Sequence, residues 1–104
     1  MLLALISPVG QAHADPSTKL ALSTISDLAT RSYFQGLADG MGWANADARY
    51  FGKSAAYCEP PKLALTTEQV IDIVQRYAEK DAFLMDKPLG ATMIAALKEV
   101  FPCR

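Results

Sequence analysis

The sequence predicts an all-α fold: a small four-helix domain with one disulfide tying its C-terminus to the central loop. Three observations carry that prediction. Apolar residues recur at helical spacings through the chain, and no run alternates β-branched with polar residues as a strand would. The prolines fall between the periodic stretches rather than inside them. The only two cysteines, Cys58 and Cys103, stand at the central connection and at the extreme C-terminus.

The chain opens on an apolar run, Met1 to Gly10, broken only by Ser7 and Pro8 and followed by the small-x-small triplet Ala12-His13-Ala14. This reads as a secretory signal peptide over residues 1–14, cut after Ala14. The run is too short to span a bilayer, which takes about 20 apolar residues. No Lys or Arg precedes it, so the segment reads as N-terminally truncated, with the true start upstream of Met1. The competing reading, a hydrophobic helix packed in the core, conflicts with Ser7-Pro8-Val9-Gly10, which would break it. Cleavage leaves residues 15–104, about 90 residues and a single helical domain.

An exported chain of this size reaches an oxidising compartment, where disulfides persist. Two cysteines far apart, without C-x-x-C spacing, then imply a Cys58–Cys103 bridge rather than a redox or metal pair. The bridge holds a terminus that would otherwise fray. Chain entropy puts its worth at about 4 kcal/mol.

Within the mature chain, Asp15-Pro16-Ser17 starts a first helix through "TKLALSTISDLAT", with Leu20, Leu22, Ile25 and Leu28 on its apolar face. A second helix covers "RSYFQGLADGMGWANADARYFG". Tyr33, Phe34, Leu37 and Met41, then Ala44, Ala48 and Phe51, line one side, and Gly52 stops it. Gly36 and Gly40 each cost about 1 kcal/mol in a helix interior, which predicts a second backbone packed close against them. "KSAAYCEPPKLAL" is an irregular connection. Thr66-Thr67-Glu68-Gln69 is a capping box. It opens a third helix with Val70, Ile73, Val74 and Tyr77 at i, i+3, i+4 and i+7, and with an Asp72–Arg76 pair outside. "AFLMDKP" turns the chain into a fourth helix that begins at Pro88, presents Leu89, Met93, Ala96, Leu97 and Val100, and ends at Pro102. The last two helices are expected to form an antiparallel hairpin.

The functional content of the composition is mostly exclusion. The only histidine, His13, lies in the segment to be removed, so the mature chain has no imidazole for a nucleophile triad or a histidine zinc site. No phosphate-cradling glycine loop follows a strand. The net charge of −1, with Lys and Arg scattered, points to no nucleic acid and, after signal cleavage, to no membrane. The expectation is a protein that is not an enzyme, takes no cofactor or metal, and acts by binding. Candidate partner-binding residues are Trp43 and Tyr50, with Phe51 beside them, and the connection residues Phe83, Leu84 and Met85, where three consecutive apolar side chains are unusual. The competing reading is that each group simply caps the core between helices.

Several elements together resemble the Rap/Tai immunity proteins: Cys58-x-Pro60; Thr67-x-Gln69-Val70 opening a helix; Val74-x-x-Tyr77; Ala96-Leu97; and the closing Phe101-Pro102-Cys103. Phe34-Gln35-Gly36-x-x-x-Gly40 is similar to that family's first helix, although many members carry a cysteine just before the first glycine, where Tyr33-Phe34-Gln35 stands here. The resemblance covers roughly residues 32–103. It implies a small, exported, all-helical protein that neutralises a peptidoglycan amidase effector of a type VI secretion system by occluding its active site. A homodimer is compatible with it. The alternative is a general periplasmic helical protein of the acid-chaperone type, with which the high apolar fraction is compatible.

Overall fold

The described residues form four α-helices and one 3₁₀ helix: α1 (Thr18–Ser23), α2 (Leu28–Tyr50), α3 (Thr67–Ala78), the 3₁₀ helix (Ala82–Asp86) and α4 (Leu89–Val100). The computed structural model describes residues 15–60 and 64–104, so the segment read as a signal peptide lies outside the described residues. Among the described residues there is no strand; extended pairing is limited to one isolated bridge, Ser17 to Pro88.

α3 begins as its sequence dictates. Gln69 N–H donates to Thr66 Oγ1 at 3.1 Å, and Thr66 N–H donates to Gln69 Oε1 at 2.8 Å, closing the capping box. Val70 and Val74 are fully buried, Ile71 and Ala78 join them, and Ile73 and Tyr77 stand at the edge of the core. α4 contributes Leu89, Met93, Ala96 and Leu97, and α2 contributes Phe34. The core closes with Ala21 of α1 and Tyr57 of the central connection. Asp72 and Arg76 pair outside at 2.9 Å, worth a few tenths of a kcal/mol at an exposed i, i+4 site.

The start of the chain departs from the expected division. α1 stops at Ser23 and α2 starts at Leu28, with no boundary near Arg31. The break has a local cause. The hydroxyls of Ser23 and Thr24 both donate to the Leu20 carbonyl, which also accepts from Thr24 N–H at 3.2 Å, and the Thr24 hydroxyl reaches the Ala21 carbonyl at 3.4 Å, the acceptor a continuing helix would use next. The register is reset there. Leu20 and Leu28, expected in the core, are 55% and 80% exposed, while Ala21 is buried and Leu22 and Ile25 are half-buried. On α2 the inner face is Phe34, Leu37, Ala38, Met41 and Asn45; Tyr33, Ala44 and Phe51 are exposed.

The glycine expectation also fails. A Cβ placed on Gly36 or Gly40 would meet nothing within 4 Å, so neither marks a close helix crossing. Nor do the last two helices close as a simple antiparallel hairpin. Lys80, just past α3, pairs with Glu99 in the last turn of α4, whereas a tight hairpin would set it beside Leu89. The 3₁₀ helix lies between them in the chain, with the Asp81 carboxylate capping it by accepting from Phe83 N–H at 2.9 Å, so α4 starts a further turn away from the end of α3.

Pro88 is the N-cap of α4, with the helix beginning at Leu89. The first described residues secure that end. Thr18 N–H donates to the Lys87 carbonyl at 2.8 Å, and Leu89 N–H donates to the Pro16 carbonyl at 2.8 Å. The Asp15 carboxylate accepts from Gly90 N–H at 2.7 Å, satisfying a first-turn amide that has no helical partner. The buried hydroxyls of Thr18 and Thr92 hydrogen-bond to each other at 2.7 Å.

Candidate functional site

α2 has 23 residues and so runs about 34 Å, longer than its neighbours can cover. From Ala46 to Lys53 only Ala48 is even half-buried. The helix ends in a Schellman arrangement: Lys53 N–H donates to the Ala48 carbonyl at 2.7 Å, Gly52 N–H to the Arg49 carbonyl at 3.0 Å, and Gly52 takes φ 72°, a region open to glycine. The exposed end carries Trp43 (76% exposed) and Tyr50 (83% exposed), seven residues apart and so on one side of the helix. Phe51 meets Tyr50 edge to face, ring centroids 5.0 Å apart.

The central connection is bound against this helix in two ways. The side chain of Asn45, buried on the inner face of α2, accepts from Ala56 N–H at 2.8 Å and donates to the Tyr57 carbonyl at 3.3 Å. The second attachment is the Cys58–Cys103 disulfide, present as the sequence implied, with Cα atoms 4.9 Å apart. Beside it Cys58 N–H donates to the Phe101 carbonyl at 2.7 Å. The C-terminus therefore fixes the connection, and the connection faces α2.

Between them lies an open groove of about 370 Å³. Gln35, Ala38, Asp39, Gly42, Trp43 and Ala46 form its helical wall, one stripe along α2. Tyr57, Glu59 and Leu65 face them from the connection. The Gln35 amide donates to Asp39 at 2.8 Å and accepts from the Thr67 hydroxyl, fixing one end of the groove to the start of α3. Tyr57 is 1% exposed. Burial pushes the Tyr57 phenol up from its usual range; the Glu59 charge adds to the rise, and Arg49 offsets part of it.

The sequence candidates do not form one surface. Trp43 lines the groove, and Tyr50 lies further along the same helix. Phe83 is 62% exposed on the 3₁₀ helix and does not line the groove; Lys87 Nζ sits 4.6 Å from its ring centroid. Leu84 and Met85 are half-buried. Sequence reasoning missed Asn45, Tyr57 and Glu59. A buried polar position continuing the Phe34–Met41 stripe was the available signal for Asn45; nothing local marked the other two.

Among the described residues, no three His, Cys, Asp or Glu side chains gather as a metal site would require, and no helix is long and apolar enough to cross a membrane. A protein-family model described as Rap1a immunity proteins matches residues 11–103. No curated protein and no solved structure matches the chain. With nearly its whole length matched, the chain belongs to the Rap1a immunity protein family, which implies a cognate effector as its binding partner.

Proposed function

We propose that this member of the Rap1a immunity family is an exported, periplasmic protein that binds a type VI secretion peptidoglycan amidase and inhibits it stoichiometrically by covering its active site. The family match over residues 11–103 carries this reading. The amidase target and the periplasmic site rest on the resemblance of the Cys58-x-Pro60 and Phe101-Pro102-Cys103 elements and on the signal-like Met1–Ala14 segment. The overhanging end of α2 supports a binding role: Trp43 and Tyr50 are residue types that dominate interface energetics, and neither contributes to the core. Trp43 is the proposed principal anchor, with Tyr50 beside it. Phe83, with the half-buried Leu84 and Met85 beneath it, forms a separate second contact.

The decisive experiment directs a candidate amidase effector to the periplasm with and without this chain. Protection from lysis, together with a 1:1 complex of the purified proteins, is the expected result. Lysis at the same rate in both cultures, with suppression of client aggregation at low pH by the purified chain, would replace this reading with the acid-chaperone one.

A further inference from the structure

The Cys58–Cys103 bridge sits where reduction would change a surface rather than the core. Both cysteines are exposed, so a thiol in solution can reach the sulfurs. Cys58 stands between Tyr57 and Glu59, which line the groove shared with Trp43. Its N–H donates to the Phe101 carbonyl at 2.7 Å, and Cys103 Sγ lies 3.7 Å from the Ala55 carbonyl oxygen, so the bridge and its surroundings join the connection to the end of α4. Most of the large core side chains belong to the helices: Phe34 to α2, Val70 and Val74 to α3, Leu89, Met93 and Leu97 to α4. Tyr57, the buried residue beside the bridge, is seated by its own burial and by the Asn45 amide at its carbonyl.

We propose that the bridge is a redox latch on the effector-binding surface: the oxidised chain binds its effector, and the reduced chain stays folded but binds weakly. This rests on the effector-binding reading and names how that site is regulated. The reductant is a dithiol. One of its thiolates attacks a bridge sulfur, a mixed disulfide forms, and its second thiol displaces the protein sulfur. Two electrons pass to the bridge, two protons finish on the Cys58 and Cys103 thiols, and the dithiol leaves as a disulfide. Exposed disulfides are more open to this exchange than buried ones. The loss falls on Glu59, next to Cys58, and on Pro102–Arg104, while the bonds of Tyr57 and of the helices do not depend on the sulfurs. A groove wall set free in this way must be ordered again when a partner closes on Trp43, and that ordering costs affinity. A chain synthesised in a reducing compartment thus becomes competent only after export to one where disulfides persist.

The test compares three samples: the oxidised protein, the protein reduced with dithiothreitol, and the Cys58→Ser/Cys103→Ser chain without reductant. Binding to the candidate amidase effector is measured by calorimetry, and amide hydrogen exchange is followed in the free proteins. The serine variant separates an effect on this chain from an effect of the reductant on the effector. Kd should rise roughly tenfold for the reduced protein and the serine variant alike, the factor for a surface that holds its binding arrangement about a tenth of the time. The Cys58 amide should lose protection on reduction, while Ala56, held by Asn45, and Val74 and Met93, within α3 and α4, keep theirs. Equal binding by the three samples overturns the proposal. Loss of protection at Val74 and Met93 also overturns it, because the bridge would then staple the whole fold. A Cys58 amide that stays protected after reduction overturns it as well. Failure of the effector reading looks different: the oxidised chain then binds no effector, while the Cys58 amide alone still loses protection on reduction, which removes the effector and keeps the redox-sensitive wall.

Discussion

Replacing Asn45 with alanine isolates the contact that holds the central connection on α2. The side chain accepts from Ala56 N–H at 2.8 Å and donates to the Tyr57 carbonyl at 3.3 Å, and Asn45 is 4% exposed. Truncation therefore orphans one backbone donor and one backbone acceptor. A buried group left unpaired costs about 1–3 kcal/mol. Ala56 is exposed, so water can reach its N–H and that share falls to the low end; the Tyr57 carbonyl, on a buried residue, takes the larger share. The loss should be about 2–4 kcal/mol, including the small void left behind. Urea unfolding of the oxidised protein measures it, with a lower midpoint at unchanged slope. Asn45→Asp sharpens the test, because it keeps the acceptor for Ala56 but sets a carboxylate against the Tyr57 carbonyl; it should be no more stable than the alanine variant. A loss below about 0.5 kcal/mol for alanine, the size of an ordinary surface change, would refute the reasoning and leave the attachment of the connection to Cys58, through its disulfide and its N–H bond to the Phe101 carbonyl.

Other outcomes follow from the same geometry. Thiol labelling of the denatured, unreduced protein should be silent, and Cys103→Ser should cost up to about 4 kcal/mol for a loop closed across 45 residues, read as a fall in the urea midpoint. Trp43→Ala should weaken effector binding by about 2 kcal/mol or more by calorimetry while leaving the unfolding midpoint unchanged; a large drop in the midpoint would mark the indole as core. Tyr33 donates to the Asp15 carboxylate, and that bond first, then burial, raises its pKa to about 12 from the usual 10.0. The neutral phenol is thus favoured by folding, so its stabilising share is complete below pH 10 and is lost as pH climbs toward 12. Absorbance titration should find one phenol ionising near pH 12 that vanishes in Tyr33→Phe, and that variant should lose less stability across the same window.

What the sequence made legible was what local physics controls. Thr66 and Gln69 are three residues apart, and their reciprocal bonds need nothing from the rest of the molecule. Val70 and Val74 of α3, and Leu89, Met93 and Leu97 of α4, declared themselves by spacing alone. The disulfide followed from arithmetic on two cysteines. The misreadings came where a side chain answered a neighbour that spacing cannot reveal. Ser23 and Thr24 bonded back to Leu20 and ended α1 inside an unbroken apolar pattern. Gly36 and Gly40 carried the spacing of a close crossing, but α2 meets no second backbone there. Asp15 caps α4 across 75 positions of sequence, and such a bond leaves no periodic trace.

The same distinction explains why the candidate site was only half visible. Trp43 and Tyr50 could be chosen from residue type alone, as large aromatics on a helix whose inner face was already filled by Phe34, Leu37 and Met41. The wall opposite Trp43 could not. Tyr57 and Glu59 reach it because Asn45 holds Ala56 and Tyr57 from one side while Cys58 is bound through its sulfur to Cys103 and through its N–H to the Phe101 carbonyl from the other. A cysteine placed at the second-to-last position thereby does more than stop a terminus fraying. It fixes the residue between Tyr57 and Glu59, and with it the spacing of the groove between the connection and α2. Reducing the bridge should accordingly disturb the Trp43 surroundings as well as the end of α4. Indole resonances that stay fixed on reduction, while those of Phe101 move, would show that Asn45 alone sets the groove.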